Sequence, residues 1–503
     1  MYLSRFLLSI CLLVAVFLAA TGCPCPPKVT VPNVIGRTQA EAETLITDAG
    51  LTVGVVTEVF NSSPVGQVIS QDPAADAQVA EGTAVDLEVS SGPWEPDSST
   101  FDVELAPDAV MVDEANLDLL VDSDQENHVY TLNAAEVQSR GLDLTAGNIL
   151  ILHGIAVRRI ASVAQEGDNL VIETDYVPLN EVIPNGTIEW DYGVEFTPEK
   201  IKSVEIPGVG IIYPKQGTPI QFSFEMGEFT YDLQATLDTE VSTFDFTVTK
   251  DLGGSASARF KATGDIKRFR SRDRISFQGG QLQEFGHELN GMQGDVTLEL
   301  VVAASGQDVV NLELPITIMK VPFVIGFIPV ELNIKIQFVI NASVPADGSA
   351  MVKTNFVYNS DLGFTYNGVD MSAGGRLGSI TFGQETNQTG ASSAIAANFG
   401  IGFPRVELSI LLDSVVPWAQ TAFLVGGTYT FFPACQTADA LFLGAGGYDL
   451  GLFGLNLLSG RVTFFQEKKE LLRAGDCPEE SKTIEAYDAE AALLGGLPWE
   501  TGE

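Results

Sequence analysis

The sequence predicts a multidomain, mainly β protein. A small α+β domain is followed by a large antiparallel region, built as a β-sandwich or as a curved or closed β-sheet. Three observations predict this. The chain has 503 residues, too long for one ordinary domain, so roughly two to four are expected. One capped helical pattern near the N-terminus sits among short β-branched runs, whereas residues 198–477 alternate apolar and polar in one segment after another. Apolar residues make up 45% of the chain and charged residues only 18%, with a mean hydropathy of +0.17, so large cores can form.

Charge excludes several function classes. Acids outnumber bases 66 to 27, a formal net charge of -39. Such a field repels phosphate backbones, so no nucleic-acid partner is expected, and docking on anionic lipid through a basic patch is disfavoured for the same reason. Cations are attracted. The three histidines, His128, His153 and His287, lie far apart in sequence, which argues against a multi-histidine metal site or a histidine relay. No cofactor and no metal are expected.

The first segment reads as an address. Arg5 supplies a positive n-region, and Phe6 to Ala20 form an apolar stretch of about fifteen residues, the length of a signal h-region. Ala20-Thr21-Gly22-Cys23 then places small residues before a cysteine, which resembles the lipobox of bacterial lipoproteins. The resemblance implies cleavage after residue 22 and acylation of Cys23, although Ala20 stands where Leu is more usual. Two or three acyl chains anchor stably where one does not. The alternative is ordinary secretory cleavage with Cys23 as a plain thiol. Cys11 leaves with the signal, and Cys25 belongs to a stiff Cys-Pro-Cys-Pro-Pro tether over residues 23–29. A metal site at Cys23 and Cys25 lacks a third or fourth ligand nearby. Cys435 and Cys477 are the only distal cysteines. In an oxidising compartment they are expected to pair, closing a loop worth roughly 3–4 kcal/mol; the alternative is two buried free thiols. Val321–Ile340 is the most apolar later stretch, but it carries Glu331, Asn333, Lys335 and Gln337, so no transmembrane helix is expected.

Residues 30–93 form the small domain. Thr38 and Glu41 make a capping box; Ala42, Leu45, Ile46 and Ala49 keep helical spacing; Gly50 suits the position after a helix end. Leu51–Val56, Val68–Gln71 and Val85–Val89 read as strands, with a turn at Pro64-Val65-Gly66. VPNVIG at 31–36, the helix AEAETLITDAGL and the run GQVISQDPAADAQVAEGTAVDLEVSSGP together resemble the PASTA domain. Asp76 stands where glycine is common, and Asp tolerates the left-handed conformation better than most residues. The resemblance implies a location outside the membrane, as in bacterial cell-wall kinases and penicillin-binding proteins. Some members bind muropeptides or β-lactams and others act as spacers. The family carries no fixed catalytic residue, so none transfers. Peptidoglycan or muropeptides are the expected partner, with a stalk as the alternative.

Ser90–Thr100, rich in Ser and Pro, reads as a linker, centred on 94–100. Residues 101–197 follow as a β-rich module. Phe101–Leu105 alternates, Val129–Leu132 does so briefly, Asn148–His153 is a fully apolar run, and Ala156–Val163 and Asn169–Thr174 flank a turn at Glu166-Gly167-Asp168. A short helical turn is expected near Pro178–Ile183. Residues 146–190 are similar to a module of large secreted bacterial proteins, a resemblance that implies no activity. Arg158 and Arg159 are neighbours on a strand and so face opposite ways. Asp122-Ser123-Asp124-Gln125-Glu126 spaces its oxygens like a calcium loop but lacks the glycine and distal glutamate, so it reads as an acidic turn.

In residues 198–477, Phe222–Phe224, Tyr231–Leu237, Phe244–Val248, Val296–Leu300 and Glu331–Phe338 alternate cleanly, which predicts antiparallel sheets with one wet face. Gly374-Gly375 and Leu443–Gly447 suggest bulges or close backbone approach. An outer-membrane barrel fits the alternation but not the acidic, loop-like tail at 478–503, where Ile484–Leu494 has a short amphipathic pattern. An apolar groove for lipid or another amphiphile is the second alternative, motivated by the apolar run Val406–Phe432. A carboxylate pair for glycan cleavage is the third. His287, between Glu284 and Glu288, has no nucleophile motif beside it and reads as a satisfied surface histidine. No catalytic residue is assigned. The expectation is a lipid-anchored, extracytoplasmic cell-envelope protein that binds or scaffolds rather than catalyses.

Overall fold

Thr38 starts the first helix, α1 (Gln39–Asp48), with the expected reciprocal cap: its hydroxyl accepts from the Glu41 amide at 3.4 Å and its own amide donates to Glu41 Oε2 at 3.1 Å. The helix buries Ala42 and Ile46, and Gly50 leaves it at φ 75°. In the computed structural model the described residues are 28–59, 63–90, 96–125, 127–194, 204–206, 210–212, 220–251, 256–304, 308–344, 349–385, 395–411, 414–431, 434–454 and 459–477. The signal, Cys23, Cys25 and the acidic tail lie outside them. The chain divides into two compact units between Gly92 and Pro93.

In the first unit α1 packs on a three-stranded sheet. Ala84–Ser90 is central, parallel to Thr52–Val59 and antiparallel to Val68–Asp72. Val31, Val34, Ala42, Ile46, Leu51, Val68, Val85, Leu87 and Val89 form its core. The expected tether ends sooner than 29: Lys28–Thr30 is a strand paired with Gln78–Ala80. Asp76 takes φ 64°, and its amide donates to the Val31 carbonyl at 2.9 Å, so an L-residue occupies the left-handed turn.

Among its described residues the second unit holds three sheets. A six-stranded sheet runs in the order Ala109–Val112, Ile149–Leu152, Ala156–Glu166, Asn169–Asp175, Val129–Asn133, Leu120–Asp124. Its strand Ile149–Leu152 explains the fully apolar run. Leu150 and Leu152 enter the small core of this sheet, while Ile149 and Ile151 enter the main core, so both faces are buried. The helix Leu179–Val182 stands where a helical turn was expected.

The two larger sheets, of eleven and eight strands, are antiparallel and share one apolar core. Phe338, from the eight-stranded sheet, is the centre of an aromatic layer. Its ring lies 6.5, 6.3 and 6.1 Å from Tyr231, Phe246 and Phe260 of the other sheet. Phe423 repeats the arrangement against Phe356 at 5.3 Å and Tyr358 at 5.2 Å. This is the sandwich alternative. Among the described residues neither sheet's pairing closes into a ring; the eight-stranded order runs from Gly210–Ile212 to Ser459–Gly475.

Three expectations need correction. The linker over 94–100 ends early, because Ser98–Glu104 is a strand pairing with Asn185–Val194. The boundary at 197/198 falls within one sheet, since Asn185–Val194 also pairs with Phe269–Gln278. Local alternation marks strands but carries no information on which strand completes another's hydrogen bonds. The wet face holds for the eleven-stranded sheet but not for the eight-stranded one. There the strands around Val330–Ile340, Phe399–Leu411 and Ala419–Gly426 are buried on both faces, and Val339, Ala422, Leu424, Leu441, Leu443 and Ala445 form a further cluster on the second face. Within the apolar run Val406–Phe432, the described side chains at 406–411 and 417–427 reflect this double burial. In the adjoining strand Ala434–Asp449, Gly444 borders a register shift, and a Cβ there would meet Leu362 and Phe465.

Replacing Phe338 with Ala removes the ring shared by three partners and is expected to destabilise the second unit by about 3–5 kcal/mol. Chemical denaturation monitored by aromatic fluorescence measures it.

Candidate functional site

The sequence-selected residues fall in separate places. Arg158 is buried, while Arg159 points the other way, to Asp108 at 3.4 Å, Glu181 at 2.6 Å and the Gly147 carbonyl at 2.7 Å. The structure therefore keeps the two arginines apart, as their adjacency on a strand requires. Asp124 accepts from the Asn127 amide at 2.9 Å and side chain at 2.8 Å, closing a turn.

His287 corrects the sequence reading. It is fully buried rather than exposed, and its partner is neither Glu284 nor Glu288. Its Nδ1 lies 2.6 Å from Asp273 Oδ1, and Ser271 donates to Asp273 Oδ2 at 3.0 Å. The cause is register. Asp273 sits opposite His287 across two strands, on the inward face, while the flanking glutamates turn outward and Glu284 accepts from Arg274 at 2.6 Å. His287 Nε2 meets no protein partner among the described residues.

The outward face of the same strand carries a feature that sequence reasoning missed. Arg268, Arg270, Arg272 and Arg274 alternate, so their guanidiniums share one face. Carboxylates from neighbouring strands and from the entry to the first strand interleave with them. Asp97 takes Arg268 at 3.6 Å and Arg270 at 3.1 Å; Asp191 takes Arg270 at 2.9 Å and Arg272 at 3.1 Å; Glu189 and Glu284 both take Arg274, the latter at 2.6 Å. Four cations thus meet four carboxylates. Burial pushes the Asp191 carboxyl up, but hydrogen bonds from Arg270 and Arg272 outweigh it and hold the group below the usual carboxylate range. Across these strands lies a groove of about 380 Å³ lined by Ser98–Thr100, Glu189–Asp191 and Arg272–Arg274. The signal was the R-x-R-x-R-x-R spacing at 268–274 in a chain with only 27 basic residues.

The second face of the eight-stranded sheet buries charge. Glu407 accepts from Arg405 Nε at 2.5 Å and Lys335 Nζ at 2.6 Å, and the Arg405 guanidinium lies 4.0 Å from the Trp418 ring centre. Burial raises the Glu407 carboxyl, but the two cations outweigh it and hold the group below its ordinary range. The alternating pattern of Glu331–Phe338 hid this, because polar positions on a strand read as solvent-facing. Cys435 and Cys477 bring their sulfurs to 2.16 Å, with Cα atoms 4.8 Å apart. Cys435 lies in register with Gly475, next to the end of the final strand.

The first unit presents a stitched surface. Gln71 accepts from the Val34 amide at 2.8 Å and donates to the carbonyls of Pro32 at 3.0 Å and Pro73 at 3.2 Å, binding the loop before α1 to the sheet. Asp86 Oδ1 accepts from the Val55 amide at 2.7 Å at a bulge; a Cβ on Gly54 would run into that carboxylate. Ile35, Val55 and Val65 are left exposed.

The family match falls on the first unit. Residues 29–91 match the PASTA domain. A probable serine/threonine-protein kinase of Bifidobacterium longum is 38% identical over 68 residues, 14% of this chain and 9% of the kinase. A second probable serine/threonine-protein kinase, from Clostridium acetobutylicum, is 40% identical over 65 residues, 13% of this chain and 10% of the kinase. The chain thus spans about a tenth of the length of the curated relatives it matches. Among solved structures, the entire extracellular region of the Ser/Thr kinase PrkC from Staphylococcus aureus aligns with 14% identity over 46% of this chain and 94% of that one, at a TM-score of 0.13.

Glu407→Gln removes the buried carboxylate that pairs with both Arg405 and Lys335, and is expected to destabilise the second unit by about 3–5 kcal/mol at neutral pH. The folded carboxyl titrates below the unfolded one, so its contribution is present above the unfolded value of about 4.3 and is lost as pH falls through the folded value. Denaturation of both proteins across that acid range is expected to show the gap narrowing as pH drops.

Proposed function

We propose that this chain, which carries a PASTA domain at residues 29–91, is an extracytoplasmic cell-envelope protein that binds rather than turns over its ligand. Acyl chains on Cys23 hold it to a membrane, and the PASTA domain contacts peptidoglycan. The observation that carries this reading is the match of residues 29–91 to that domain, on a unit with its own capped helix, sheet and core. No described helix is long and apolar enough to cross a membrane. The acidic balance, 66 to 27, supports a partner other than nucleic acid. The approach of Cys435 to Cys477 supports a disulfide and hence an oxidising compartment. The full burial of the Asp273–His287 pair supports a structural role for it. The aromatic rings filling the space between the sheets favour a packed sandwich over an amphiphile carrier.

Sedimentation with purified peptidoglycan, comparing the mature chain with one lacking residues 28–92, is expected to show at least about a fivefold loss of bound protein on deletion, a difference of roughly 1 kcal/mol. Equal sedimentation would assign the domain a spacer role. Metabolic labelling with a fatty acid is expected to mark the wild type and not Cys23→Ser, and only the labelled form should partition into detergent. Thiol alkylation without reductant is expected to leave Cys435 and Cys477 unmodified.

A further inference from the structure

The groove on the second unit has walls of unusual chemistry. Cross-strand register sets two rows of side chains on the solvent face: Ser98, Asp191 and Arg272 in one, and Thr100, Glu189 and Arg274 in the other. Between them run the backbones of Ser99, Trp190 and Asp273, with Trp190 and Asp273 buried on the opposite side. Each wall therefore offers a hydroxyl, a carboxylate and a guanidinium side by side. Residues two apart on a strand are about 6.8 Å apart, which sets the spacing of the walls.

This wall chemistry discriminates among ligand classes. An anion meets Glu189 and Asp191 within a chain of net charge -39. A cation meets Arg272 and Arg274. An apolar group would desolvate both ion pairs and return no hydrogen bond. A sugar hydroxyl both donates and accepts, so a vicinal pair of hydroxyls can donate to a carboxylate and accept from the guanidinium beside it without breaking the pair. Arg272 is placed for this: its side chain is 61% exposed and its one side-chain bond among the described residues runs through Nη2 to Asp191 Oδ2 at 3.1 Å, which leaves Nε and Nη1 as available donors. The volume of about 380 Å³ falls in the ordinary range for small-ligand sites. Among the described residues Ser98–Glu104 is the last strand of its sheet, so a polymer can run past that edge instead of terminating in the groove.

We propose that this groove binds an uncharged, polyhydroxylated saccharide chain through paired hydroxyls clasped by the Asp191–Arg272 and Glu189–Arg274 rows. It is a second contact for glycan, built entirely on the second unit and independent of residues 29–91.

The test is calorimetric titration of the mature chain with two uncharged probes, the tetrasaccharide of N-acetylglucosamine and a neutral glucan tetrasaccharide. Binding of at least one is expected, with an affinity that changes less than about twofold between about 50 and about 500 mM salt, since a neutral ligand releases no counterions. Arg272→Ala is expected to weaken it about tenfold or more. Thr100→Trp fills the groove without removing an ion pair, so it gives the same answer if the arginine variant fails to fold. Deleting residues 28–92 is expected to leave this binding unchanged, which separates failure here from failure of the peptidoglycan reading. No binding of either probe, undiminished binding by Thr100→Trp, or preference for an anionic oligosaccharide with steep salt dependence would each overturn the proposal.

Discussion

The second unit depends on one aromatic layer between two long antiparallel sheets. A sheet of eleven strands and one of eight each need a partner for an apolar face, and each serves the other. Phe338 and Phe423 project from the smaller sheet into rings of the larger, and each such contact adds about 0.5–1.5 kcal/mol beyond the area it buries. The layer also dictates what the outer faces can hold. Once alternate residues are committed to the core, those between them line up as rows, and the arginine ladder on residues 268–274 is one such row.

Charge is arranged locally rather than globally. The chain carries a large acidic excess, yet four of its fourteen arginines stand at alternate positions over 268–274, and each of these four is met by a carboxylate. The same device recurs in the double-buried sheet, where Glu407 lies between Arg405 and Lys335. A buried charge without a counter-charge would be costly, so the cluster is all-or-none. Asp273 and His287 follow this logic inside the larger sheet. Their adjacency is a cross-strand pair made through His287 Nδ1 on the inward face, which is why a histidine flanked by glutamates in sequence bonds to neither.

The two units differ in how they are built. The first is small and stitched by specific polar contacts, notably Gln71 across the loop before α1 and Asp86 at the bulge. It matches the PASTA domain, and it carries the peptidoglycan reading. The second is large and supplies broad, rigid faces, which suits it to presenting a groove whose walls are held in register by strand pairing.

How much was legible from residues alone follows from which interactions are local. The capping box at Thr38 and Glu41, the left-handed turn at Asp76, the opposite facing of Arg158 and Arg159 and the period of the long strands all depend on neighbours within a few residues, and all were readable. So was the mainly β class, and so was the small domain, because its motifs are contiguous. Pairing between distant strands was not. That Ser98–Glu104 ends the eleven-stranded sheet, that Asn185–Val194 joins it, that His287 turns inward to Asp273, and that Asn333, Gln337 and Glu407 lie buried were decided by tertiary structure. The physical reason is that alternation assigns residues to two faces of a strand, whereas only the packing of sheets determines whether either face meets water.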